Sequence, residues 1–260
     1  RHHLRVDRDT AKHGGHFQRL RQLVSQIGQH IAHLHRQLAR GHQHQRADGA
    51  AEVGLARRSQ QVLQPPMTPT SRKISFSDIH SRALEKRLPF FCERLDAPWY
   101  RRLIQAYYGF YQPLEATLQN SGLIPAGYDL SQRLKTPTLF GDLRALGLDV
   151  ASIEALPRCE QLPPLHSAGA CLGTLYVLEG ATLGGQILRR EMARRLDLDA
   201  DNGGAFLDVY GTATGRRWKD FLDYLGRMPE DPSTRRHLVS AAQSTFACFE
   251  RWLDRREVLL

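Results

Sequence analysis

From Ser71 onward, apolar residues recur every three or four positions, the spacing of a buried helix face. Ile79, Ala83 and Leu84, with Leu88 a turn later, form a first stripe that Pro89 ends. A second helix is predicted over residues 98–119, with Trp99, Leu103, Ala106, Tyr107, Phe110 and Leu114 on one side and a kink at Pro113. Shorter pieces are predicted at 130–134 and 138–146, the latter stopped by Gly147. Pro163-Pro164 precedes a long apolar stretch over 168–188, Asn202-Gly203-Gly204 breaks the chain, and two helices follow near 216–225 and 234–253. No alternating run is long enough for a sheet, so the pattern predicts an all-α domain over residues 67–260.

Residues 1–66 are of another kind. They hold no Tyr or Trp, one Phe and one Lys, and nine of the twelve histidines of the chain. Positions 20, 23, 27, 31 and 34 carry Leu or Ile at helical spacing, but 41–51 is small and polar. Three readings stand: a His-rich metal or nucleic-acid arm, a loosely ordered extension, or a translated upstream stretch with Met67 as the natural start. The last is preferred, because the chain opens on Arg1 and the first Met is Met67.

This division changes the meaning of the net charge of +9, which by itself suggests nucleic acid. The first 66 residues carry 11 Lys and Arg against 4 Asp and Glu; the rest carries 25 against 23. The domain itself is therefore nearly neutral and is not expected to bind nucleic acid. Cys92, Cys159, Cys171 and Cys248 show no paired spacing, which fits a reducing, cytoplasmic setting. No apolar run reaches the roughly 18 residues of a membrane span, and no secretory signal pattern is seen.

The candidate chemistry lies in the stretch from Leu172 to Leu188, which is apolar at helical length yet holds Gly173, Gly180, Gly184 and Gly185. Each interior glycine costs a helix about 1 kcal/mol against alanine. Gly173, Gly180 and Gly184 share one face. Two readings of that bare face are open: close packing against another helix, or approach of a flat ligand to the backbone.

Tyr176-Val-Leu-Glu-Gly-Ala-Thr-Leu-Gly-Gly185 resembles the distal-helix signature of the haem oxygenase family, in the form seen in its bacterial, bacteriophytochrome-associated branch. The likeness runs from about Arg72 to the C-terminus and includes Tyr108-Gly-Phe-Tyr-Gln-Pro-Leu-Glu115 and the region from Tyr210-Gly211 to Arg217-Trp218. The resemblance implies a multi-helix domain with haem b between the first helix and a glycine-kinked distal helix. It implies that haem is opened to biliverdin, carbon monoxide and ferrous iron, using O2 and an external reductant. A ferredoxin or flavoprotein reductase would supply the electrons, and a bacteriophytochrome would receive the biliverdin. The alternative is a haem-binding or sequestering protein of the same fold without turnover.

By the same resemblance, the proximal iron ligand is a histidine on the first helix, which is His80; His166 and His237 begin later helices. Lys73, seven residues earlier and about 10 Å along that helix, is expected to meet a haem propionate, as is Arg217 among the cluster Arg216, Arg217 and Lys219. Tyr176, Gly180, Gly184, Gly185, Phe206 and Tyr210 are expected around the macrocycle, with Gly180, Gly184 and Glu179 on the catalytic side. Many members of the family place an acidic residue after the first glycine of the motif, to order water near bound oxygen. Ala181 stands there instead, and the nearest carboxylate is Glu179.

Overall fold

A computed structural model describes Leu84, residues 87–228 and residues 231–260. The expected N-terminal extension over 1–66 and most of the first helix lie outside these residues. Among the described residues there are six α-helices and no strand: α1 (Ala97–Asn120), α2 (Thr136–Ala145), α3 (Val150–Glu154), α4 (Ala168–Leu196), α5 (Thr214–Gly226) and α6 (Pro232–Arg255). Short 3-10 turns occupy Pro89–Phe91, Leu130–Arg133, Ala205–Asp208 and Gly211–Ala213. Among the described residues no helix is long and apolar enough to cross a membrane, and the four cysteines are free thiols.

The helix starts follow from local chemistry. Asp96, Asp149, Ser167 and Asp231 sit at N-cap positions and accept from backbone N–H groups of the first turn, with Pro98 and Pro232 already inside their helices. The five-residue α3 is too short to show a periodic stripe, so only its Asp149 cap marks it in the sequence. Helix α4 runs past the expected end at 188 to Leu196, because Met192 remains fully buried while arginines take the outer side.

Pro113 lies inside α1 and has no N–H to offer the carbonyl one turn earlier. That carbonyl belongs to Gly109, and it accepts instead from the Cys159 N–H at 2.8 Å. Gly109 also makes room: a Cβ there would lie 2.5 Å from the Pro157 carbonyl oxygen and 2.7 Å from Trp252 Cζ2. Trp252 Nε1 donates to the Ala106 carbonyl at 2.7 Å, tying α6 to α1. The Gly-Phe-Tyr-Gln-Pro spacing is thus a docking site for the 157–159 segment and for Trp252.

Helices α4 and α6 pack closely through small residues. A Cβ on Gly169 or Gly173 would collide with the carbonyl oxygens of Thr234 and Leu238. Thr174 Oγ1 and Thr245 Oγ1 meet at 3.1 Å in the same buried seam. For Gly173, the helix-packing reading of the bare face is therefore the correct one.

Gly173→Ala should lower stability by about 2 kcal/mol, because the added methyl overpacks backbone that cannot yield. Gly141→Ala, in α2 with open space around it, should instead raise stability by up to about 1 kcal/mol. Urea unfolding of the two variants should show opposite signs; a gain at Gly173 would mean the seam is loose.

Candidate functional site

Four elements converge on one cleft. Its lining includes Tyr107 and Tyr111 from α1, Lys135 at the start of α2, Ala181, Thr182, Gly185 and Leu188 from α4, and Phe206 and Leu207 from the turn after α4. Phe90 closes the rim. The surface is aromatic and aliphatic, with a lysine, a threonine and two phenols as its polar groups.

The placement of each wall has a local cause. Tyr107 and Tyr111 are one helical turn apart, stacked at 6.1 Å, and Phe206 meets both rings edge-on at 5.4 Å. Phe206 is held there by Asp142, whose carboxylate accepts from the N–H groups of Ala205 (3.0 Å) and Phe206 (2.8 Å). Gly185 allows this turn to lie directly on α4, since a Cβ there would collide with the Leu207 carbonyl oxygen. On α4 the cleft meets the small residues Ala181, Thr182 and Gly185 together with Leu188, and Ala181 is exposed.

Directly behind the cleft lies a buried carboxylate. Glu179 is 1% exposed. One oxygen accepts from Arg133 Nη1 at 2.6 Å; the other pairs with Lys135 Nζ and accepts from the Tyr210 hydroxyl at 2.9 Å. Lys135, equally buried, also donates from Nζ to the Arg133 carbonyl at 2.7 Å. Its backbone is fixed by Glu115, whose carboxylate accepts from the N–H groups of Lys135 (2.8 Å) and Thr136 (2.9 Å). Glu115 thus caps α2 from a distant helix, which suits a helix start whose own N-cap residue offers no side-chain acceptor.

Burial pushes the Lys135 ammonium down against the pull of Glu179. Burial also raises the phenols of Tyr107, Tyr111 and Tyr210, with Glu179 reinforcing the effect at Tyr111 and Tyr210. These tyrosines are therefore neutral O–H donors in ordinary buffers. The hydroxyls of Tyr107 and Tyr111 have no hydrogen-bond partner among the described residues, which leaves two donors for whatever enters the cleft.

The residues singled out in the sequence divide accordingly. Gly185 and Phe206 line the cleft, while Glu179 and Tyr210 form the layer behind it. Gly180 and Gly184 are buried on α4, which continues as helix through both Gly184 and Gly185. Tyr176 is fully buried against Trp218 (5.2 Å) and Phe221 (6.5 Å), in the contact between α4 and α5 rather than in the cleft lining. Arg217 does not reach the cleft lining either: it donates to the Gln132 carbonyl at 3.0 Å and lies over the Tyr210 ring. His237 is half-buried, not solvated, with Nδ1 3.1 Å from Ser167 Oγ and its ring against His166. Ser167 precedes Ala181 by fourteen residues, about 20 Å of helix, so this pair is remote from the cleft. His80 and Lys73 lie outside the described residues.

Sequence reasoning missed Lys135, Arg133 and the hydroxyls of Tyr107 and Tyr111. Lys135 and Glu179 are 44 positions apart, and no local pattern announces their pairing. The tyrosines were visible only as members of an apolar stripe.

Comparison with known proteins agrees with this architecture. A family model described as heme oxygenase matches residues 77–255. The heme oxygenase of Xanthomonas campestris pv. campestris (strain 8004) is 28% identical over 159 residues, covering 61% of this chain and 91% of that protein. With more than half of its length matched by the family model and an all-helical body around the glycine-bearing α4, the chain belongs to the haem oxygenase family.

Proposed function

We propose that this chain opens haem to biliverdin, carbon monoxide and ferrous iron, consuming O2 and electrons from a separate donor. The observation that supports this best is the cleft itself. Ala181, Thr182 and Gly185 keep this wall of the cleft free of bulky side chains, and Tyr107, Tyr111 and Phe206 supply flat aromatic surface. Such a lining fits a planar, largely apolar macrocycle, and its few polar groups fit the small number of oriented contacts typical of ligand sites.

When bound, haem supplies the iron that activates oxygen, and it is also the molecule consumed. The residues of the chain do the rest. His80, on the helix expected from the sequence, would hold the iron, and Lys73 would meet a propionate. Phe90, Leu188, Leu207 and Phe206 keep bulk water from the reacting edge. Tyr107 and Tyr111 present O–H groups to the cleft. Lys135 lines the cleft while bound to Glu179, so an ionisable pair stands beside Ala181, where many relatives carry an acid. That pair favours turnover over mere sequestration, because it sets an ionisable group beside the position where many relatives carry an acid.

The electron donor would be a ferredoxin or a flavoprotein reductase, since no dinucleotide fingerprint is present. A bacteriophytochrome would receive the biliverdin, a reading that rests on the Glu179-Gly180-Ala181-Thr182 form of the motif. The four free thiols fit a reducing, cytoplasmic setting.

Purified protein given haemin and then ascorbate or a reduced ferredoxin should convert the haem spectrum to that of biliverdin. His80→Ala should remain folded and lose nearly all turnover, with partial return on adding free imidazole. His166→Ala and His237→Ala should turn over normally. A stable haem complex that never yields biliverdin under reductant would establish the sequestering alternative.

Lys135→Met removes one partner of a buried ion pair, which costs about 3 kcal/mol or more. Combined with Glu179→Gln it should cost less than the sum of the two single losses, because the Lys135–Glu179 interaction can be lost only once. Urea unfolding of the two single variants and the double variant checks this; losses that simply add would contradict the pairing.

A further inference from the structure

A second cavity lies on the other side of the Glu179 layer. It encloses about 350 Å³ between the 127–133 segment and one flank of α5. Arg133, Arg216, Arg217 and Arg227 line it, with Asp129 and Asp220 as the carboxylates present. Asp129 is occupied by its own neighbours, accepting from the Ser131 N–H (3.0 Å), the Ser131 hydroxyl (2.5 Å) and Gln132 Nε2 (2.7 Å).

The guanidinium groups differ in what they already hold. Arg133 reaches Glu179 and the Arg217 carbonyl, and Arg217 reaches the Gln132 carbonyl. Arg216 and Arg227 are exposed and make no side-chain hydrogen bond or ion pair with any described residue. Tyr128, also in the lining, carries a buried hydroxyl with no hydrogen-bond partner. The cavity therefore presents unsatisfied donors and a net positive lining in a concave surface, where the field of like charges is concentrated.

We propose that this cavity is a binding site for a small polyanion bearing phosphate groups. Arginine forks match phosphate oxygens two at a time, and Arg216 on α5 and Arg227 just past its end are free to do so. The volume falls in the range of small-ligand sites, and the concave shape suits a compact anion better than the broad contact of a protein surface. The site shares no lining residue with the aromatic cleft. Lys219, on the same helix, is outside the lining and is paired with Asp223.

The test is calorimetric titration of the full chain, without added haem, with pyrophosphate at fixed ionic strength; inorganic phosphate and citrate serve as comparators. Saturable one-to-one binding is expected, weakened at least tenfold in Arg216→Ala/Arg227→Ala and little changed in Lys219→Ala. Circular dichroism checks that each variant is folded; all three substituted side chains are exposed. Absence of saturable binding, or an equal loss in Lys219→Ala, would overturn the site. Citrate binding as tightly as pyrophosphate would overturn the assignment to phosphate. Because haem is absent from the titration, either result leaves the reading of the cleft untouched.

Discussion

The functional end of this domain depends on one buried carboxylate. Glu179 sits in the middle of α4, where no water reaches it, and a lone ion there would be prohibitively costly. Its charge is met by Lys135, Arg133 and the Tyr210 hydroxyl, which come from two other segments of the chain. Satisfying Glu179 therefore brings the start of α2 and the turn before α5 against α4. A buried pair of this kind adds little net stability compared with apolar packing, but it tolerates few alternative arrangements, and the cleft requires such a fixed arrangement.

The rest of the cleft is built by the same economy of partners. Glu115 fixes the Lys135 backbone, and Asp142 fixes the backbone of Phe206. Both are carboxylates nearly out of solvent that accept two backbone N–H groups each. Neither lines the space where a ligand would sit; each acts by holding a residue that does. Removing either would move a wall of the cleft rather than remove a contact to its occupant.

Much of this was legible beforehand, and the rest was hidden for identifiable reasons. Helix spans were readable because the long helices carry apolar stripes and are bounded by prolines and glycines. The ten-residue motif lies on α4, the helix that supplies Ala181, Thr182 and Gly185 to the cleft. Its glycines, however, serve more than one purpose. Gly173 admits the backbone of α6, and Gly185 admits the turn that carries Phe206. A glycine pattern shows that something approaches the backbone, but not whether it is a ligand or another part of the chain. Tyr176 illustrates the related limit: its place in the motif suggested the pocket, whereas its position on the helix directs it toward Trp218 and Phe221. Lys135 and Arg133 were invisible because their significance depends on a residue more than forty positions away.

Glu179 also separates two environments with opposite chemistry. On one side is an aromatic cleft with neutral phenols; on the other is an arginine-lined cavity open to solvent. Lys135 lines the first and Arg133 the second, and both are bound to the same carboxylate. A change in what Arg133 holds must therefore be felt by Glu179, and through it by Lys135 on the cleft wall. The coupling requires no movement of a helix, only a redistribution of charge within one set of hydrogen bonds. In a medium of low dielectric, such a redistribution acts strongly over a few ångströms. The position of Ala181 makes this consequential: with no acid of its own beside the cleft, this wall takes its electrostatic character from Glu179 and the cations that share it.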